Sequence, residues 1–333
     1  MTREELLRRE YLGRVERVID YMYAHLGEEL GADELADVAA FSRFHFHRVF
    51  SSVVGETLFD FLKRIRLQAA ASRLVDRPAE TVSEAASAAG FSSPSVFARA
   101  FKERYGVTAS EWRLLDRDER TRRAACLDGP ARSTGGQALG TGGQGESKAR
   151  KEAPSLPRYP GLILDEGERR PEMTKLQYKI EVKELPELTV AYARHVGRYN
   201  QIGEAFERLG RWAGPRGFYA DPKALSLAVY HDSPESTPEA KLRSSACVSV
   251  SPGTEVSGDI NLMTIPGGKF AVAHFEISKE QFGEAWDALM GEWFPSSGWQ
   301  PDDRMCYEVY LNDPDKHPEG KFIVDICEPV RPL

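Results

Sequence analysis

Only four of the 333 residues are cysteine: Cys126, Cys247, Cys306 and Cys327, with no CxxC pair among them. That argues against a disulfide framework or a zinc ribbon and reads as free thiols in a reducing compartment. Long apolar runs are also missing, since none approaches the roughly 20 residues needed to span a bilayer. The N-terminus, MTREELLRREYLGRVERVIDYMY, is charged and lacks an apolar signal region. A cytoplasmic location without a membrane partner is expected. Excess positive charge is absent too: 44 Lys and Arg stand against 51 Asp and Glu, a net charge of −7. This disfavours a protein that coats nucleic acid indiscriminately and leaves room for a local basic face. No Ser/His/Asp or metal constellation is visible, and no cofactor is implied. What is present is a 41% hydrophobic fraction over a length suited to about two domains.

Three segments follow along the chain. Residues 8–116 are rich in helical periodicity and poor in glycine and proline. Residues 117–173 lose the apolar period and collect Gly, Ser and basic residues, the composition of a flexible linker. Residues 174–333 show alternating strand patterns such as LTVAYARHV, FAVAHFEIS and KFIVDICEPV, with helical stretches between them.

The first segment repeats itself. DELADVAAFSRFHFHRVFSSVVGET (33–57) is echoed by SEAASAAGFSSPSVFARAFKERYGVT (83–108). Each copy has a short alanine-rich helix, a tight turn, Ser42 or Ser92 as the expected N-cap, and a second helix with an apolar stripe. Phe46, Val49, Phe50 and Val53 form that stripe in the first copy, and Phe97, Ala100 and Phe101 in the second. Between the copies, residues 58–75 form an amphipathic helix with Lys63, Arg64 and Arg66 on its basic face. The stretch FHFHRVF (44–50) has the look of a metal site. However, positions i and i+2 on a helix point roughly 200° apart, so His45 and His47 do not share a ligand. His45 is expected to be buried and satisfied. His47 and Arg48 are expected to face outward with Arg43 and Phe44.

EAASAAGFSSPSVFARAFKERYGVTASEWR (84–113) closely resembles the signature of the AraC/XylS family of transcription regulators, at Ala86, Gly90, Phe91, Phe97, Arg99, Phe101, Lys102, Gly106 and Arg113. Ala109 departs from it, where the family usually has proline. The resemblance implies two recognition helices in successive major grooves of DNA. By position, the DNA-contacting residues are Arg43, Phe44, His47 and Arg48 in the first helix, and Ser93, Pro94, Ser95, Ala98 and Arg99 in the second. Arginine suits guanine because its fork matches two acceptors in the major groove. RNA polymerase is a further partner that such a regulator allows.

The last segment is a second duplication. Residue n matches n+80: LPELTVAYARHVGRYNQIGEAFERL (185–209) falls on IPGGKFAVAHFEISKEQFGEAWDAL (265–289) without a gap. Each half reads strand, helix, strand, strand. The helices, near 200–213 and 280–293, are expected to cover one side of the sheet, with a groove between the halves on the other. This segment resembles the GyrI-like effector-binding domain, above all in CYEVYLND and KFIVDICEPV. The resemblance implies a pocket glutamate among aromatics, here Glu308. Strand alternation puts Cys306, Glu308 and Tyr310 on one face, and the twin of Glu308 is Ala228. Tyr230, Tyr310, Phe275, Trp293 and Trp299 are the candidate aromatic walls. A buried carboxylate among aromatic faces suits a cationic or amphipathic aromatic ligand.

The expected molecule is multidomain: an all-α double helix-turn-helix domain, a linker, and an α+β domain built from a duplicated unit. Its expected role is a DNA-binding regulator controlled by a small-molecule effector. Two other readings stay open: a hydrolase of reactive natural products working through Glu308, or a module that docks on a protein such as a topoisomerase.

Overall fold

The computed structural model describes residues 1–43, 45–125, 176–234 and 237–333. They divide into two compact units, and the division does not follow the sequence segments. One unit joins Met1–Ile19 and Gly31–Leu58 to the C-terminal chain through Leu333. The other contains Asp20–Leu30 and the helices from Phe59 onward.

The first unit begins with α1 (Arg3–Ala24), which continues past Ile19, then α2 (Ala32–Ala39) and α3 (Phe46–Val54). Tyr11, Val15, Leu35, Ala36, Phe46, Val49 and Phe50 are buried. Ala40, left-handed at φ 53°, turns the chain between α2 and α3. The N-cap of α3 is His45, not the expected Ser42. The Ser42 hydroxyl instead donates to Asp303 Oδ1 at 2.6 Å.

The second unit holds α4 (Leu58–Asp76, from Phe59 on), α5 (Val82–Ala88), α6 (Pro94–Tyr105), α7 (Ala109–Leu114) and α8 (Arg117–Ala125). Thr81 and Thr108 cap α5 and α7 in reciprocal boxes with Glu84 and Glu111. The threonine box supplies the helix start that Ala109 does not. Ser93 stands at the N-cap of α6, one residue beyond the expected Ser92. Trp112 packs on Tyr105 at 4.5 Å and bonds the Ala71 carbonyl. Gly90, at φ +83°, makes the turn before α6, and a Cβ there would lie 2.2 Å from the Leu26 carbonyl oxygen. That carbonyl is capped by Arg66 Nε at 3.0 Å, so Arg66 serves the fold and not an exposed basic face. Residues 117–125 are helical where a linker was expected. Asp116 Oδ1 accepts from the Glu119 N–H, and Arg123 pairs with Glu119 and reaches the Tyr105 carbonyl. The rest of the expected linker lies outside the described residues.

The C-terminal chain builds an antiparallel sheet from β1 (Tyr178–Leu185), β2 (Leu188–Val196), β3 (Ser226–Tyr230), β4 (Arg243–Ser249), β5 (Ile260–Ile265), β6 (Gly268–Ile277), β7 (Trp299–Pro301), β8 (Tyr307–Tyr310) and β9 (Phe322–Pro332). The spatial order is β1-β6-β9-β8-β3-β4-β2-β5, with β7 beside β9. Two copies of a β-β-α-β-β unit meet at β3 and β8, so each half has one more leading strand than expected. That strand is exchanged: β1 pairs with β6 of the other half, and β5 with β2. Helix α9 (Gly203–Ala213) lies on β2 and β4, where Ala191, Ala193 and Ala246 are small enough to let it approach. In the second half, α10 (Phe282–Asp287) runs into a π-helical stretch, Ala288–Trp293, and α11 (Phe294–Ser297). On the other face, Val190, Leu227, Val229, Phe270, Val272, Tyr307 and Val309 form one apolar cluster.

Candidate functional site

Glu308 lies on β8, directly opposite Ala228 on β3, where the two halves join. It shares a face with Ala246, the face that carries α9, because Ala228 also pairs with Ala246. The Glu308 side chain therefore lies on the helix side, whereas the sequence reading placed the groove on the side away from the helices. The other face closes on its own apolar cluster and leaves no room there.

The Glu308 carboxylate is 1% exposed and accepts three hydrogen bonds: from Tyr230 OH at 2.7 Å, Trp286 Nε1 at 2.8 Å and Tyr310 OH at 2.9 Å. Burial raises its pKa, and these three donors partly oppose the rise. Burial, followed by the Glu308 charge, pushes both tyrosines well above the usual phenol range. Around them, Tyr199 packs on Tyr230 at 4.7 Å, Phe206 on Tyr310 at 5.7 Å and Phe282 on Tyr310 at 6.5 Å.

Of the expected aromatics, Tyr230 and Tyr310 join Glu308. Phe275 is buried on the same sheet face, but its ring packs on Tyr178 of β1. Trp293 packs on Phe294, and Trp299 lies under the Lys269 ammonium. Neither has a described ring contact with the Glu308 group. The residue missed was Trp286, on α10. Its signal was in the repeat, because GEAFERL matches GEAWDAL and makes Phe206 and Trp286 twins. The site thus consists of two duplicated aromatic pairs, Phe206/Trp286 and Tyr230/Tyr310, and one residue that breaks the symmetry.

Helix α3 lies against this site. The Arg48 guanidinium sits over the Trp286 ring, 4.1 Å from its centroid. Its charge is felt by Glu308, Tyr199 and Cys306. Ser52 of α3 crosses Gly291, where a Cβ would lie 2.9 Å from the Ser52 carbonyl oxygen. Arg14 bonds Gln300 at 3.1 Å. The expectation that His47 and Arg48 face outward is therefore corrected: His47 is 4% exposed and Arg48 is half-buried. The helical period gave their direction, but the C-terminal sheet and its helices cover that side. Arg43 is exposed and bonds Asp37 at 2.6 Å. Phe44 lies outside the described residues. By contrast, α6 leaves Pro94, Ser95, Ala98 and Arg99 exposed and Ser93 partly so.

Residues 178–331 match the family model of the GyrI-like small molecule binding domain, and residues 35–114 that of a helix-turn-helix domain. A DNA gyrase inhibitor of Yersinia enterocolitica is 35% identical over 142 residues, covering 41% of this chain and 87% of that protein. The chain belongs to the GyrI-like family. Another DNA gyrase inhibitor, from Shigella boydii, is 33% identical over 138 residues, covering 40% of this chain and 85% of the relative. Among solved structures, the EcmrR C-terminal domain is similar at 21% identity and a TM-score of 0.38, covering 47% of this chain and 99% of its own. A regulator with an AraC-type DNA-binding domain from Chromobacterium violaceum is similar at 24% identity and a TM-score of 0.29, covering 34% of this chain and 93% of its own. With an AraC-type helix-turn-helix region joined to a GyrI-like domain, the protein is a DNA-binding transcription regulator under small-molecule control. Among the described residues, no helix is long and apolar enough to cross a membrane.

Proposed function

We propose that the GyrI-like domain senses an aromatic cation and that Arg48 is its internal competitor. One observation carries this reading: Arg48, which the AraC/XylS resemblance makes a candidate for DNA contact, rests on Trp286, and Trp286 bonds Glu308. A guanidinium on an indole face beside a buried carboxylate is the interaction an aromatic cation would make there. Effector and α3 then compete for one place. Without effector, α3 is held and α6 alone is free to engage DNA. With effector, Arg48 leaves and both helices can reach successive grooves, in the cytoplasm and beside RNA polymerase. By linkage, operator DNA should raise effector affinity by the same factor that effector raises DNA affinity.

Tetraphenylphosphonium, a delocalised aromatic cation, tests this by calorimetry on the full chain. Glu308→Gln should weaken binding, and Arg48→Ala should strengthen it by removing the competitor. Unchanged or weaker binding in Arg48→Ala would refute the competition. A second reading has one supporting feature: burial favours a protonated Glu308, as a general acid requires. Loss of turnover of a reactive ring compound in Glu308→Gln, with binding retained, would favour that hydrolase reading.

A further inference from the structure

The face that carries Glu308 holds a second buried acid. Glu308 has three donors. Glu328, on the neighbouring strand β9, is 0% exposed; its Oε1 meets a nitrogen of His45, and its Oε2 has no hydrogen-bond partner among the described residues. A carboxyl group taken out of water needs a polar or cationic partner at each oxygen, and the His45 ring reaches only one of the two. Tyr307 pairs with Cys327, so the register sets Cys306 opposite Glu328. Over this pair comes the start of α3, with His45 Nδ1 2.7 Å from Glu328 Oε1. One donor atom each from His45, Cys306 and Glu328 lie within 4.8 Å of one another, and the three residues are 2%, 1% and 0% exposed.

We propose that His45, Cys306 and Glu328 bind one zinc-class divalent cation. An imidazole nitrogen, a thiolate and a carboxylate are the mixed N/S/O set that zinc accepts. Donors on one tetrahedral zinc stand about 3.5 Å apart, given bonds of about 2.0–2.3 Å, so small side-chain turns that open the His45–Glu328 pair and draw the wider spacings in would seat the ion. Three protein ligands leave a fourth position for water. The Tyr11 hydroxyl is suited to hold that water: it is fully buried, has no hydrogen-bond partner among the described residues, and lies within the field of Glu328. Binding would deprotonate the Cys306 thiol and release its proton to solvent. A simple His45–Glu328 ion pair leaves the Cys306 sulfur and the Tyr11 hydroxyl without a role.

The site joins α3 to β8 and β9, so an ion there would hold α3 against the GyrI-like domain. This consequence rests on the reading that α3 leaves that domain to meet DNA, but the metal site itself does not.

Cobalt(II) reports the site directly. Metal-free full-length protein is titrated with Co²⁺, both in the folded state and by refolding from denaturant in its presence, so that slow entry into a buried site cannot hide binding. One equivalent should give the near-ultraviolet thiolate-to-cobalt band and the visible bands of a tetrahedral ion. Cys306→Ser should abolish the thiolate band, Glu328→Gln should weaken binding by about tenfold or more, and Cys126→Ser should change neither. Absence of a thiolate band in the wild-type chain, or its persistence in Cys306→Ser, overturns the proposal. X-ray absorption of the zinc-loaded wild-type chain needs no variant: one sulfur with nitrogen and oxygen neighbours supports the site, and a shell without sulfur overturns it. If the band appears while Arg48→Ala leaves tetraphenylphosphonium binding unchanged, the metal site stands and the competition reading fails. The reverse pair of results separates them the other way.

Discussion

Glu308 and Ala228 face each other across the junction of the two halves, as cross-strand partners on β8 and β3. The duplication places equivalent positions opposite one another at this point. A carboxylate in both copies would put two buried acids within about 5.5 Å, Cα to Cα, so the pair can hold only one charge. Ala228→Glu should therefore destabilise the domain by about 3–5 kcal/mol, the cost of an uncompensated buried charge. Urea unfolding checks this, and a negligible loss would mean that water reaches the junction.

Glu308 also fixes a pH dependence. Its folded pKa is raised, chiefly by burial, so between the ordinary carboxylate value and that raised value the folded state keeps a proton the unfolded state has lost. Stability from this group is fully present at low pH and falls as pH rises through that window. Affinity for an aromatic cation should move the opposite way, since the charged carboxylate attracts it. Thermal unfolding and calorimetry across the window should show both trends in the wild type and neither in Glu308→Gln.

Gly90 is a purely structural test. Its φ of +83° and the 2.2 Å that would separate an added Cβ from the Leu26 carbonyl oxygen leave no room for alanine. Gly90→Ala should cost at least about 1–3 kcal/mol. Circular dichroism during urea unfolding measures it. An unchanged midpoint would show that the turn before α6 can rearrange.

Arg99 and Arg48 should differ in DNA binding although they occupy matching positions of the repeat. Arg99 is exposed on α6, whereas Arg48 is held on Trp286. Arg99→Ala should weaken specific binding by about 1–3 kcal/mol with or without effector. Arg48→Ala should weaken it only with effector present. Fluorescence anisotropy on specific and random duplexes separates the cases, and equal losses on both duplexes would mark a phosphate contact.

Much of the site could be read along the chain because duplication writes each part twice. The 80-residue register pairs Tyr230 with Tyr310 and Phe206 with Trp286, and it exposes Glu308 as the position without a matching acid. Helical period likewise sorted Phe46, Val49 and Phe50 into the core. What could not be read was the cover over α3. A period tells which way Arg48 points and not what waits there. His45 meets Glu328 only because sheet order brings β9 beside β8. The same limit applies to the face: alternation put Glu308 and Tyr310 on one face, but the small residues that seat α9 decide which face carries helices.

The exchange of β1 and β5 makes each half of the GyrI-like domain incomplete by itself. A chain cut between β4 and β5 would leave two fragments, each with an outer strand whose partner is on the other. Such fragments should reassemble when mixed, and two copies of one half should complete each other in the same way. The single chain thus has the geometry of a strand-swapped homodimer, and a carboxylate present in one half only, Glu308 against Ala228, makes its symmetric junction a single site.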